Sequence, residues 1–322
     1  MKKGILCAAL LLMHTRLFCW GFYMHAQINY HAVFLLPPQM MIFYKPNIGY
    51  LTEHAVDPDK RRYAVATEGA HHFMDIDHYG VYPYNDLPRN YNSAVEKFSV
   101  DTLRTYGIVP WWILTMMGRL TMAFREKDER LILKYSAEIG HYIADAHVPL
   151  HACNNHNGQL TNQQGIHAFW ESRIPELLAA EHWDFFIGKA IYIGDPAAFI
   201  WSRLLESAAA ADTVLCCERE ASLQIRPDQK FAFEERNGIL VRQYSTDYAL
   251  LYNGKLKDMV ERRMRQSIFA VASFWYTAWV NAGQPPLDRL RNDSLSLTDQ
   301  QEYQLLNLEW KKGKVLGRDC GE

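Results

Sequence analysis

The sequence has no C-x-x-C pair, no G-x-S-x-G elbow and no glycine-rich loop of the kind that cradles phosphates. The first absence argues against a thiolate zinc site. The second removes the elbow-type serine nucleophile, and the third removes the common nucleotide-phosphate motifs. An excess of positive charge is missing too. Lys and Arg number 34 against 36 Asp and Glu, a formal net charge of −2. That balance excludes a protein that grips duplex DNA mainly by charge, though not an enzyme that cuts nucleic acid. Alternating strand patterns are few, no repeat recurs at solenoid periods, and no shift in composition marks a domain boundary. Cysteine is scarce, at six residues, and beyond position 19 only Cys153, Cys216, Cys217 and Cys320 remain. Free or singly bridged thiols are expected of them.

What is present is a globular composition, 322 residues with 49% apolar and 22% charged. Lys2 and Lys3 precede an apolar run from Gly4 to Met13, too short to span a bilayer but patterned as a secretory signal. Residues 1–19 are therefore expected to be a signal peptide, and the mature chain secreted or periplasmic. Cleavage or lipidation around Cys19 and Trp20 is left open, because bulky Phe18 makes a poor cleavage site. Loss of Lys2, Lys3 and Arg16 leaves 31 basic and 36 acidic residues. Over most of the rest, apolar residues recur at helical spacing. Helices are expected at 22–34, 102–106, 111–124, 129–147, 166–180, 196–211 and 256–280, with a short last one near 299–310. Pro110 suits the first turn of its helix, and Pro149 ends the one before it. The expected fold is all-α, one multi-helix domain over residues 20–322.

Twelve histidines survive in that domain, many with a carboxylate at a ligand-like offset. The densest run is His141-Tyr-Ile-Ala-Asp145-Ala-His147-Val-Pro-Leu-His151. Residues four apart share a helix face, so His141 and Asp145 can grip one cation from the same side. His151 falls on the turn beyond Pro149, and His147 lies round the helix from His141. His167-Ala-Phe-Trp-Glu171 repeats the four-residue offset. A hydrogen bond between helix neighbours would explain either pair alone. Two pairs with a histidine between them favour a metal, since imidazole and carboxylate are ordinary zinc ligands. Upstream lie His71-His72-Phe-Met-Asp75 and Asp57-Pro-Asp59, which alone would read as a polar loop and a turn, and His25 on an apolar helix, which alone would read as a core histidine.

In this order the pieces resemble the zinc-dependent phospholipase C and single-strand-specific nuclease superfamily. The resemblance covers Trp20 to at least Glu171, and Phe274 to Gly283 is similar to that family's closing helix. It implies a trinuclear zinc cleft in a helical domain. One Zn2+ would be held by Asp57, His72, His141 and Asp145, and a second by His151, His167 and Glu171. A third would take the α-amine and carbonyl of Trp20, His25 and a bridging oxygen of Asp145. His72 is preferred to His71 because His72-Phe-Met-Asp75 fits the family's pattern. Asp57 is preferred to Asp59 because Ala55-Val56-Asp57 and its distance to His72 fit better, with Asp59 the runner-up. The implied activity is phosphodiester hydrolysis by a metal-activated hydroxide, Asp57 also serving as general base or water-orienting group. The α-amine of Trp20 could bind metal only after cleavage.

Two substrates remain open. The short gap from His151 to His167 and the last ligand Glu171 point to the phospholipase C branch, and thus a phospholipid. The short Trp20–His25 distance and the fifteen residues from Asp57 to His72 point to the nuclease or 3'-nucleotidase branch, and thus a single-stranded nucleic acid. The former is preferred. A zinc-binding module without turnover is the remaining alternative. No stable protein partner is implied, and a monomer is expected. Trp111 and Trp112 could stack on a base or touch lipid, but core packing is expected of at least one.

Overall fold

The computed structural model describes residues 21–236, 238–290 and 297–317. Residues 1–19, expected to be a signal peptide, lie outside them, as do Trp20 and Cys320. The architecture is a mostly helical single domain with one two-stranded sheet, as the apolar periodicity predicts. Five helices build its centre: α1 (Gly21–Ala32), α2 (Val109–Glu126), α3 (Glu129–His147), α4 (Pro196–Ser222) and α5 (Met259–Asn281).

Helix α3 is the axis of the domain, packing against each of the other four. Asp128 caps its start by accepting a hydrogen bond from the Leu131 amide at 2.9 Å. Pro149 follows its end, where no helical amide is available. Its residues from Ser136 to His147 are all buried. A helix buried on every side must satisfy its polar groups inside the protein. Ser136 is paired with Tyr44 at 2.8 Å, and its carbonyl accepts from Trp275 Nε1 at 3.0 Å.

Helices α1 and α3 approach closely at Gly140. Asn29 donates from Nδ2 to the carbonyls of Leu51 and Ala137, at 3.1 and 3.0 Å. Its Oδ1 sits where a Cβ on Gly140 would come within 1.9 Å. Glycine at 140 is thus what lets the His25 helix and the His141 helix touch.

Some element boundaries differ from the periodicity. The helix expected at 256–280 is α5, and a further helix, Thr246–Leu256, precedes it across left-handed residues Lys257 and Asp258. Helix α4 runs to Ser222, past the expected end at 211. The sheet is a hairpin, β1 (Phe231–Arg236) against β2 (Ile239–Tyr244), with Phe231 opposite Tyr244. It braces the chain near Glu171. Arg173 forms an ion pair with Glu234 and donates to the Tyr244 carbonyl at 3.0 Å. Phe169 stacks on Tyr244 with ring centroids 3.9 Å apart. Among the described residues, no helix is long and apolar enough to cross a membrane. Among the described residues, Cys216 and Cys217 are free thiols.

Replacing Gly140 with alanine is expected to cost about 1–3 kcal/mol, the usual penalty of overpacking a rigid contact. Gly118→Ala in α2, where nothing lies within 4 Å of the added Cβ, is expected to gain about 0.5–1 kcal/mol. Urea unfolding of both variants measures the contrast. Equal midpoints would show that the α1–α3 contact is not tight.

Candidate metal centre

Among the described residues, three buried groups have ligand atoms close enough to hold a metal ion: Asp59, His72 and His141; His25, His141 and Asp145; and His151, His167 and Glu171. Helix α1 supplies His25, α3 supplies His141 and Asp145, and His151 sits on the turn after Pro149. His167 and Glu171 come from a helical stretch that passes through a π turn at Phe169–Arg173. Such a wider turn is frequent at functional sites. It leaves His167 Nε2 2.8 Å from Glu171 Oε2.

The groups meet at Asp145. Its Oδ2 lies 3.1 Å from His72 Nδ1 and 3.3 Å from His141 Nε2. Its Oδ1 faces His25 Nε2 at 3.5 Å. One carboxylate therefore faces two ligand groups with its two oxygens. His25 Nε2 is also 3.4 Å from Glu171 Oε1, which brings the third group alongside.

The imidazoles are oriented from outside. His141 Nδ1 is 2.9 Å from the Ala55 carbonyl, His151 Nδ1 2.7 Å from the His72 carbonyl, and His167 Nδ1 3.3 Å from the His156 carbonyl. Each carbonyl can only accept, so each of these rings carries its proton on Nδ1. The Nε2 lone pairs then point at the other ligands: His151 and His167 face each other at 3.2 Å through Nε2. A lone pair aimed at a lone pair is unfavourable unless a cation lies between them. Metal-bound histidines show this arrangement, the outer nitrogen tied to an acceptor.

The electrostatics agree. Burial pushes His72 down to about 3, against the pull of the nearby Glu68 carboxylate. Burial also lowers His141, with His25 adding to the effect. Both imidazoles are therefore neutral and able to donate to a metal at neutral pH. For Asp59, burial alone would raise the carboxyl, but the contacts with His141, His72 and His25 outweigh it and hold the group below the usual carboxylate range. Glu171 is lowered for the same reason, by His151, His167 and His25.

Of the residues expected from sequence, His25, His72, His141, Asp145, His151, His167 and Glu171 all reach the cluster. Asp57 does not. Asp59 takes its place, 3.6 Å from His72 Nδ1 and 3.5 Å from His141 Nε2. The Asp57 carboxylate is engaged by His54 Nδ1 at 2.6 Å and Lys60 Nζ at 3.2 Å. The reason is helical: Asp57–Arg61 is one short helix, and two residues apart means about 200° apart, so only one of the two aspartates can face α3. Trp20 lies outside the described residues.

Glu68 was not anticipated. Its carboxylate lies 3.5 Å from His72 Nε2, 3.4 Å from His71 Nδ1 and 3.5 Å from Arg61, and accepts from Tyr142 OH at 2.5 Å. Arg61 in turn pairs with Glu138. This network ties the 59–72 segment to α3 on both sides of His141. Only its offset of four from His72 could have signalled it, in a stretch that is not a regular helix. His71 turns away to stack on Trp112 at 3.7 Å. It lines a cavity of about 740 Å³ with Trp111 and Trp112. Trp111 packs in the core, its Nε1 donating to the Arg89 carbonyl at 2.7 Å. His147 stays out of the cluster, with Nδ1 2.7 Å from the Ile143 carbonyl. The Asn154–Asn157 loop holds His167 in place: Asn157 Oδ1 accepts from the Gly165 and His167 amides at 2.9 and 3.4 Å.

Asp59→Asn is expected to lose roughly one bound metal ion per chain, whereas Asp57→Asn keeps full content, as read by elemental analysis. The opposite pattern would restore Asp57. The pH dependence of the metal-free protein has a definite sign. An unfolded histidine takes a proton near ~6.5, well above His72 in the fold. The unfolded chain therefore binds protons first, and stability falls as pH drops below about 6.5. Urea midpoints at pH 7.5 and 5 should differ less in His72→Asn than in the parent chain. An unchanged difference would show that His72 is not buried neutral.

No protein-family model matches the chain, and no curated protein matches it.

Proposed function

We propose that the chain is a zinc-dependent phosphodiester hydrolase, related to the phospholipase C and single-strand nuclease superfamily that its motifs resemble. The observation that carries this reading is the convergence around Asp145 of three buried histidine–carboxylate groups, in which the outer nitrogens of His141, His151 and His167 face backbone carbonyls. The donor set is nitrogen and oxygen with no thiolate, which suits zinc and differs from the closed, cysteine-rich structural sites. Asp59, His72, His141 and Asp145 would hold one ion, and His151, His167 and Glu171 a second. His25, Asp145 and the amino-terminal Trp20 of a processed chain would hold a third. Zinc there supplies Lewis acidity, drawing charge from phosphoryl oxygens and making water acidic enough to attack phosphorus at neutral pH.

The protein's own part is orientation and exclusion of water. The backbone carbonyls fix the imidazole tautomers. Helix α3 and the braced 169–173 segment hold the ligands at fixed distance. Asp59 takes the position assigned from sequence to Asp57, where its carboxylate would hold metal and could orient an attacking water. The preferred substrate is a phospholipid, on the strength of the short His151–His167 spacing and the Glu171 ligand, and the chain would act outside the cytoplasm.

The test uses protein beginning at Trp20. About three zinc ions per chain, with diacylglycerol released from phosphatidylcholine, are expected. Cleavage of single-stranded DNA instead would move the assignment to the nuclease branch. Zinc with neither activity would leave a binding module, and absence of zinc would end the proposal. Asp145→Ala should lower both zinc content and turnover more than His25→Ala, because Asp145 faces two groups.

A further inference from the structure

The cavity beside His71 has a chemistry that the metal centre does not use. Five separate elements wall it: the turn carrying Thr67 and His71, the loop at Arg89–Tyr91, the helix carrying Arg104, the first turns of α2 from Ile108 to Thr115, and Ala197 at the start of α4. Its volume of about 740 Å³ is within the range of small-molecule sites. Two guanidinium groups, Arg89 and Arg104, belong to its lining, and no carboxylate does among the described residues. A third, Arg119, sits over the Trp112 ring at 4.9 Å.

None of the three arginines makes an ion pair among the described residues. Arg61, Arg130, Arg173, Arg203, Arg236 and Arg263 are paired with carboxylates, while Arg125 and Arg262, outside the cavity, donate to backbone carbonyls instead. Arg89 is also fixed in place. Its Nη2 faces the Pro83 and Tyr84 carbonyls at 3.3 and 3.5 Å, and its guanidinium lies over Trp201 at 4.3 Å. Its Nη1 is buried and has no acceptor. Uncompensated positive charge held in a concave site, in a chain of net charge −2, raises the local concentration of anions. Beside the two arginines the lining has an apolar and aromatic part, Ile108, Trp111, Trp112 and Leu114, and a polar part, Thr67, Asn90 and Thr115. Trp112 is already engaged by His71 and Arg119, which makes it a wall and not a stacking platform.

We infer that this cavity binds an organic oxyanion, with a phosphate-, sulfate- or carboxylate-type head between Arg89 and Arg104 and an apolar body against Ile108, Trp111 and Leu114. The site is independent of the metal reading, because none of these residues belongs to the ligand groups.

Isothermal titration of the full chain with benzenesulfonate tests it, since a sulfonate is a poor zinc ligand. Saturable binding is expected, with Arg104→Gln and Arg89→Gln each weakening it on the order of tenfold. Arg125→Gln, outside the cavity, should leave it unchanged. Phenol and inorganic sulfate, each lacking half of the ligand, should bind at least about tenfold more weakly. Phenylphosphonate and benzoate then rank the head groups. Because Arg104 is exposed, its variant should fold even if that of Arg89 does not. No saturable binding up to about 1 mM, an Arg104→Gln affinity equal to that of the parent chain, or phenol binding as tightly as benzenesulfonate would overturn the inference. Loss of zinc or of phosphodiesterase activity would bear on the metal centre alone.

Discussion

Everything in this molecule is arranged around the cost of burying carboxylates and imidazoles together. Asp59, Asp145 and Glu171 lie with His25, His72, His141, His151 and His167 in one interior with almost no access to water. A charge there is tolerated only if it is paired and hydrogen-bonded. Helix α3 has to be buried all round to carry His141 and Asp145 into that space, and the other four principal helices exist in part to cover it. Gly140 shows how tight the cover is, since the Asn29 side chain occupies the position of the missing Cβ.

The same constraint explains the shell around the cluster. Backbone carbonyls of Ala55, His72 and His156 take the outward sides of His141, His151 and His167. Glu68, Arg61, Tyr142 and Glu138 form a buried polar network that binds the ligand-bearing 59–72 segment to α3. The hairpin, at first sight peripheral to a helical protein, braces the chain through Arg173 and Phe169 two residues to either side of Glu171. Low dielectric makes such a network strong when complete and costly when broken. That is a physical reason for so many residues to be committed to so small a volume.

Much of the site was legible because helix geometry is local. An imidazole and a carboxylate four residues apart share a face whatever the tertiary fold, and so the His141–Asp145 and His167–Glu171 pairs could be read directly. The ends of α3 were legible too, through Asp128 at its cap and Pro149 beyond it. Asp57 and Asp59 were not separable in this way. Both lie in one turn, both are buried, and the choice depends on which side of that turn α3 approaches. Glu68 was missed because its relation to His72 passes through an irregular turn with no periodic signature.

By itself, then, the sequence determined the helical period, the caps and breakers, and the ligand pairs that one helix can present, since each follows from contacts among neighbours along the chain. Tertiary structure alone decided that Asp59 joins the cluster, that Asp145 faces two groups, which nitrogen of each histidine is turned inward, and that two arginines line a cavity on the other side of His71. Those outcomes depend on how separately specified helices pack, and packing is set by side chains far apart in sequence that meet only when the core closes.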